Sequence, residues 1–176
     1  FLAVSFWGCN FLPGSSSDSG TTANPLGAGT SGPVTGTITT GQTVQEAQQT
    51  VNPGSATITI ASAGSPLNGL EIQVPDGAYS NSVNFNISYA SITAHTFGSG
   101  FNPATPLIKI DNGGQFASEP ITIKIPISKT ANKFSMAYYY DSTTGKLEGL
   151  PTVSEDQNFL VITTRRLGNI AFSPSI

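Results

Sequence analysis

From Leu70 to Val74 the chain alternates strictly. Leu70, Ile72 and Val74 fall on one face and Glu71 and Gln73 on the other, the period of two expected of a half-buried strand. Pro75 then fixes its own φ and brings no N–H to a ladder. Asp76-Gly77 follows with the side-chain acceptor and permissive backbone of a tight turn. The same pattern of short alternating strand and punctuated turn recurs after Gly54. It predicts strands over 56–60, 70–74, 83–89, 107–110, 121–127, 134–140, 146–150, 159–163 and 167–172. No helix of ten or more residues is predicted. About nine short strands separated by Gly, Pro, Asp and Asn predict an all-β fold, a single β-sandwich of mostly antiparallel strands, with a barrel as the alternative. Pro126 marks an edge position or a strand end.

The apolar positions of these strands define the expected core: Ile58, Ile60, Leu70, Ile72, Val74, Phe85, Ile87, Ile110, Phe116, Ile121, Ile123, Ile125, Ala137, Tyr139, Leu150, Val161 and Ile170. The pattern is absent from the first part of the chain. From Asn10 to about Thr43 the sequence is rich in Gly, Ser, Thr, Asn and Pro, with a single charge, Asp18, and few large apolar residues. Such a segment cannot bury enough surface to offset its ordering entropy, so a disordered linker is expected. Roughly 35 flexible residues span about 30–35 Å. Gln42 to Thr50 is polar and reads as a turn of helix or a lead-in. The predicted division is a leader over 1–9, linker and lead-in over 10–53, and the sandwich over 54–176.

The chain opens Phe-Leu-Ala-Val-Ser-Phe-Trp-Gly-Cys, with neither an initiator Met nor a basic residue ahead of the apolar run. This reads as the back half of a secretory leader. Gly8-Cys9 resembles the lipobox of bacterial lipoproteins, in which a small residue precedes the Cys that becomes the acylated N-terminus. Phe6 suits the apolar position of that pattern, and Trp7 is bulkier than the residue usual there. Acylation of Cys9 is the expectation because the lone Cys stands where an apolar run meets a tether; the alternative is an ordinary residue of a leader that is cleaved away.

The 176 residues carry seven Lys and Arg and ten Asp and Glu, a formal charge of −3, with the basic residues scattered. That offers no footprint for nucleic acid or for an anionic bilayer surface. One Cys excludes an internal disulfide, and one His without a neighbouring soft ligand speaks against zinc. The Gly-rich Gly27-Ala-Gly-Thr-Ser-Gly32 lacks the Lys, strand and helix of a phosphate loop.

Three segments carry a resemblance. They are Gly-Leu-Glu-Ile-Gln-Val-Pro-Asp-Gly-Ala (69–78), Ile-Lys-Ile-Asp-Asn-Gly-Gly-Gln-Phe-Ala-Ser-Glu-Pro-Ile-Thr-Ile-Lys-Ile-Pro (108–126) and Tyr-Tyr-Asp-Ser-Thr-Thr-Gly-Lys-Leu-Glu-Gly-Leu (139–150). In order and spacing they resemble the ZU-five-like β-sandwich of netrin receptors and ankyrins, which is similar to modules of bacterial surface lipoproteins. The match would span roughly residues 54 to 173. The resemblance implies a scaffold or interaction module. Relatives that join this domain to a UPA domain cut themselves at a His-Phe-Ser triplet; the comparable position here reads Arg166-Leu167-Gly168, without base or nucleophile, so no self-cleavage is expected.

The remaining candidates each have an ordinary reading. His95 follows a strand and precedes a Gly-rich loop, and without a nucleophile motif a surface-loop role outweighs catalysis. Asp76, Asp111, Asp141 and Glu155-Asp156 could supply calcium oxygens, but their spacing is not that of a calcium loop and turn formation accounts for the Asp residues. Tyr138 and Tyr140 share a strand face and could stack on sugar or peptide; the competing reading is that a loop covers that face. The reading that unites these features is a non-enzymatic, lipid-anchored cell-envelope protein displaying a β-sandwich module. The alternative is a secreted carbohydrate- or protein-binding module without the anchor. The implied partners are a membrane, through the N-terminal lipid, and a protein or glycan ligand. No metal, cofactor or nucleic acid is expected.

Overall fold

The computed structural model describes residues 34–127 and 135–174. Within them, eleven strands run β1 (Ile38–Val51), β2 (Ala56–Thr59), β3 (Glu71–Val74), β4 (Val83–His95), β5 (Leu107–Asp111), β6 (Phe116–Pro126), β7 (Ser135–Asp141), β8 (Lys146–Gly149), β9 (Thr152–Glu155), β10 (Phe159–Arg166) and β11 (Asn169–Pro174). A six-stranded sheet has the order β1-β4-β5-β11-β7-β8, and a five-stranded sheet the order β2-β3-β6-β10-β9. Every pairing between neighbours is antiparallel. The fold is an all-β, open sandwich.

Alternation builds the core. In the five-stranded sheet the register sets Ile58 opposite Ile72, Ile72 opposite Ile123 and Ile123 opposite Ile162, a row of buried isoleucines across four strands. β-branched side chains suit this pleated surface, and each fully buried one contributes about 1.5–3 kcal/mol. Val83, Phe85, Ile87, Ile108, Ile110, Ala137 and Ile170 of the other sheet join the same cluster. β3 ends at Val74 as its Pro-Asp-Gly sequence predicts: Ala78 N–H bonds to Pro75 C=O at 3.2 Å, with Gly77 at φ 78°.

The predicted lead-in is overturned. Residues 38–51 form β1, the edge strand of the six-stranded sheet, and the sandwich therefore begins well before residue 54. An edge strand with largely solvated faces needs no apolar alternation, and Gln45 Nε2 even bonds back to Ala47 C=O at 2.9 Å. Its leading end reaches the opposite edge of the same sheet. Leu147 N–H bonds to Val34 C=O at 3.0 Å and Gly36 N–H to Gly145 C=O at 2.8 Å. β9 is not predicted from the sequence, because its one apolar residue, Val153, is exposed and Thr152–Glu155 shows no inward apolar face.

Four core assignments change. Phe116 is 66% exposed because residues 117, 121, 123 and 125 take the inward parity, leaving Phe116 on the outer face. In β10 the inward pair is Leu160 and Ile162, so Val161 is only half-buried. Tyr139 and Leu150 lie at the border of the core, both half-buried; Arg166 sets its guanidinium 4.0 Å from the centroid of the Tyr139 ring.

Candidate functional site

The outer face of the six-stranded sheet carries the site. Ile87, Ile110 and Ile170 turn inward, so their neighbours Ser88, Lys109 and Asn169 turn outward. The register then aligns these positions. Ser88 stands opposite Lys109, Lys109 opposite Asn169, and Asn169 opposite Tyr140. Four polar side chains thus form one straight row across β4, β5, β11 and β7, about 14 Å long at the usual interstrand spacing. The row floors a cleft of about 440 Å³, whose side is Thr37, Thr40 and Thr43 of β1 and its approach. That volume is in the range of small-ligand sites.

The row is lightly committed within the protein. Ser88 is 6% exposed and its hydroxyl makes no hydrogen bond to the described residues. The Tyr140 hydroxyl accepts from Ile38 N–H at 3.2 Å, which leaves its own proton to donate. Lys109 Nζ lies 3.7 Å from Asp111 Oδ2, an exposed contact of little energetic weight.

At one end of the row the segment after β4 folds over the sheet and closes an aromatic group. Phe101 is 6% exposed, with its ring centroid 5.1 Å from that of His95, 5.1 Å from Phe97 and 6.1 Å from Tyr138. Phe97 meets Tyr140 edge-on at 6.0 Å. Tyr138 and Tyr140 do share a face, but they are not a pair of open rings. Tyr140 is 5% exposed and Tyr138 half-buried, with its hydroxyl on Met136 Sδ at 3.6 Å. What Tyr140 offers the cleft is its phenolic O–H rather than its ring face. His95 belongs to the same group as the last residue of β4, and its buried Nδ1 has no hydrogen-bond partner.

Of the acidic residues considered for calcium, Asp111, Asp141, Glu155 and Asp156 bond to turns and backbone. Asp111 Oδ1 accepts from Gly113 N–H at 2.9 Å, and Asp156 Oδ1 from Asn158 and Phe159 N–H at 2.7 Å each. Glu155 Oε1 accepts from Ser135 N–H at 2.9 Å. Asp141 accepts from the Thr144 hydroxyl and the Thr143 N–H, and these bonds hold its carboxyl below the ordinary 3.8. Among the described residues no group of three or more His, Cys, Asp and Glu gathers at metal-binding distance. Cys9 lies outside the described residues.

A larger concavity, about 600 Å³, lies at the sheet border among Phe116, Pro120, Glu148, Leu150, Arg165 and Arg166. Its charged side chains are solvated, and Arg166 is engaged with Tyr139. The outer-face cleft is the better built of the two, since a hydroxyl withdrawn from bulk water faces it.

The sequence had nominated Tyr140 from this row but not Ser88, Lys109 or Asn169. Alternation marks each of the three as the polar neighbour of an inward residue. Their alignment depends on a register between strands distant in sequence, for which no local signal exists. No known protein-family model matches the sequence, and no curated protein matches it.

Proposed function

We propose that this chain is a non-enzymatic protein of the bacterial cell envelope, anchored by lipid on Cys9, whose sandwich is held out on a flexible tether as a binding module. The observation that carries the binding reading is the row Ser88, Lys109, Asn169 and Tyr140 on the floor of a cleft, with most of its hydrogen-bonding capacity unused. Lys109 and Asn169 keep their polar ends open to solvent and so to a ligand, beside the Ser88 hydroxyl, which makes no bond to the described residues. The resemblance to ZU-five-like sandwiches supports the same reading, since it implies an interaction or scaffold role. The anchor is supported by Gly8-Cys9 at the junction of an apolar run and a Gly/Ser/Thr-rich segment.

The test is the mass of the mature protein expressed with its natural leader, beside a Cys9→Ala control. A chain starting at Cys9 with added lipid mass is the expected result. An unlipidated chain starting elsewhere would refute the anchor and leave the second reading, a secreted carbohydrate- or protein-binding sandwich that uses the same cleft.

A further inference from the structure

The chemistry of the row narrows its ligand, granted that the cleft is the binding site. Lys109 is a donor only, Asn169 brings an N–H₂ and one acceptor oxygen, and the phenol of Tyr140 already accepts from Ile38 and has its proton to give. Ser88 adds a hydroxyl that can do either. The row therefore offers more donors than acceptors, and its only formal charge is the Lys109 ammonium. Its nearest acid, Asp111, is on the same strand face two residues along, at 3.7 Å and well exposed. Asp111 stays on the Gly113 N–H of its turn, and because the ion pair is exposed and weak the flexible Lys109 ammonium can swing from it to a competing carboxylate.

The setting favours a saccharide over a peptide. A peptide gains its affinity from apolar anchors set in pockets or from pairing with a free sheet edge. This floor is the face of a sheet, where the backbone groups of β4, β5, β11 and β7 are engaged in the ladders. It presents hydroxyl, ammonium, carboxamide and phenol groups at regular intervals. Threonines at 37, 40 and 43 add more hydroxyls along one side. A row of about 14 Å suits a short oligosaccharide better than a single sugar.

We infer that the outer-face cleft binds an acidic oligosaccharide, with a sugar carboxylate on Lys109 and Asn169 and neighbouring sugar hydroxyls on Ser88 and Tyr140. The carboxylate supplies the acceptors that the row lacks. Charge-assisted bonds to Lys109 then set the preference for acidic over neutral sugars.

The experiment applies the full chain to an array of uronate- and sialate-bearing oligosaccharides, each beside its neutral counterpart. The strongest acidic ligand is then titrated calorimetrically against wild type, Lys109→Met, Ser88→Ala and Asn169→Ala, with melting temperatures confirming that the variants are folded. Acidic sugars are expected to bind at least about tenfold more tightly than their neutral counterparts, and Lys109→Met to remove that difference. Ser88→Ala and Asn169→Ala should each weaken binding about threefold or more. Failure to bind any acidic sugar, or unchanged affinity in Lys109→Met, overturns the inference. If neutral sugars or peptides bind and the Ser88 and Asn169 variants weaken them while Lys109→Met does not, the cleft stands as a binding site and only the acidic-ligand assignment falls. If no substitution in the row alters any binding, the cleft reading falls as well.

Discussion

The turn between β5 and β6 hangs on one buried carboxamide. Asn112 is 2% exposed, and its Nδ2 donates to the Tyr79 hydroxyl at 2.8 Å and to Gln115 C=O at 2.7 Å. Replacing Asn112 with Ala removes both donors. The Tyr79 oxygen, on a side chain only 7% exposed, then loses its partner in a buried position, at a cost of about 1–2 kcal/mol. Gln115 is exposed, so its carbonyl recovers water and adds less than about 1 kcal/mol. The expected loss is about 1–3 kcal/mol, or a fall in urea midpoint of about 0.5–1.5 M for a slope near 2 kcal/mol/M. Tyr79→Phe removes only the shared bond and should cost about 1 kcal/mol. Burial raises the Tyr79 pKa above its ordinary 10.0, with the Asn112 bond acting in the opposite direction. A raised folded pKa means that this contribution to stability is complete below pH 10 and is lost as pH rises through the folded pKa. Urea unfolding followed by circular dichroism, at neutral pH and above pH 10, reads all of this for wild type, both single variants and the double variant. Tyr79→Phe should flatten the alkaline decline, and the double variant should lose less than the sum of the singles. Losses under about 0.5 kcal/mol in both single variants, or strictly additive ones, would refute the proposed coupling.

Two further substitutions test the edge geometry. Gly145 has φ 69°, and a Cβ there would meet Gly36 C=O at 2.5 Å, so Gly145→Ala is expected to cost about 2 kcal/mol or more and to loosen the attachment of residues 34–36 to β8, read as faster amide exchange at Leu147. Phe116→Ser, at an outward position, should change stability by less than about 0.5 kcal/mol in the same unfolding assay, whereas a loss of 3 kcal/mol or more would mean that the ring is buried after all.

How far the strands could be read depended on what each one buries. β3 and β6 were legible because Ile72 and Val74, and Ile121, Ile123 and Ile125, lie against a core on one side, and burial of one face writes a period of two into the sequence. β1 and β9 bury little, carry no such period and passed for lead-in and loop. Phe116 and Val161 show the complementary error: each is an apolar strand residue expected in the core, although parity sends it outward. The aromatic group was partly visible, in that Tyr138 and Tyr140 had to share a face. That Phe97 and Phe101 cover them required the segment after β4 to fold back over the sheet.

The sequence alone determined the class of the fold and the punctuation between strands, because alternation and turn chemistry act over a few residues and need no knowledge of neighbours. Pro75-Asp76-Gly77 ends β3 whichever strands lie beside it. Tertiary structure decided the order of strands in each sheet and with it the candidate site. Ser88, Lys109, Asn169 and Tyr140 lie on four strands spread over 82 positions, from 88 to 169, and share one row only because antiparallel pairing brings them into register. Register is selected by the burial of Ile87, Ile108, Ile110 and Ile170 on the opposite face, a collective property of two packed sheets that no single segment encodes.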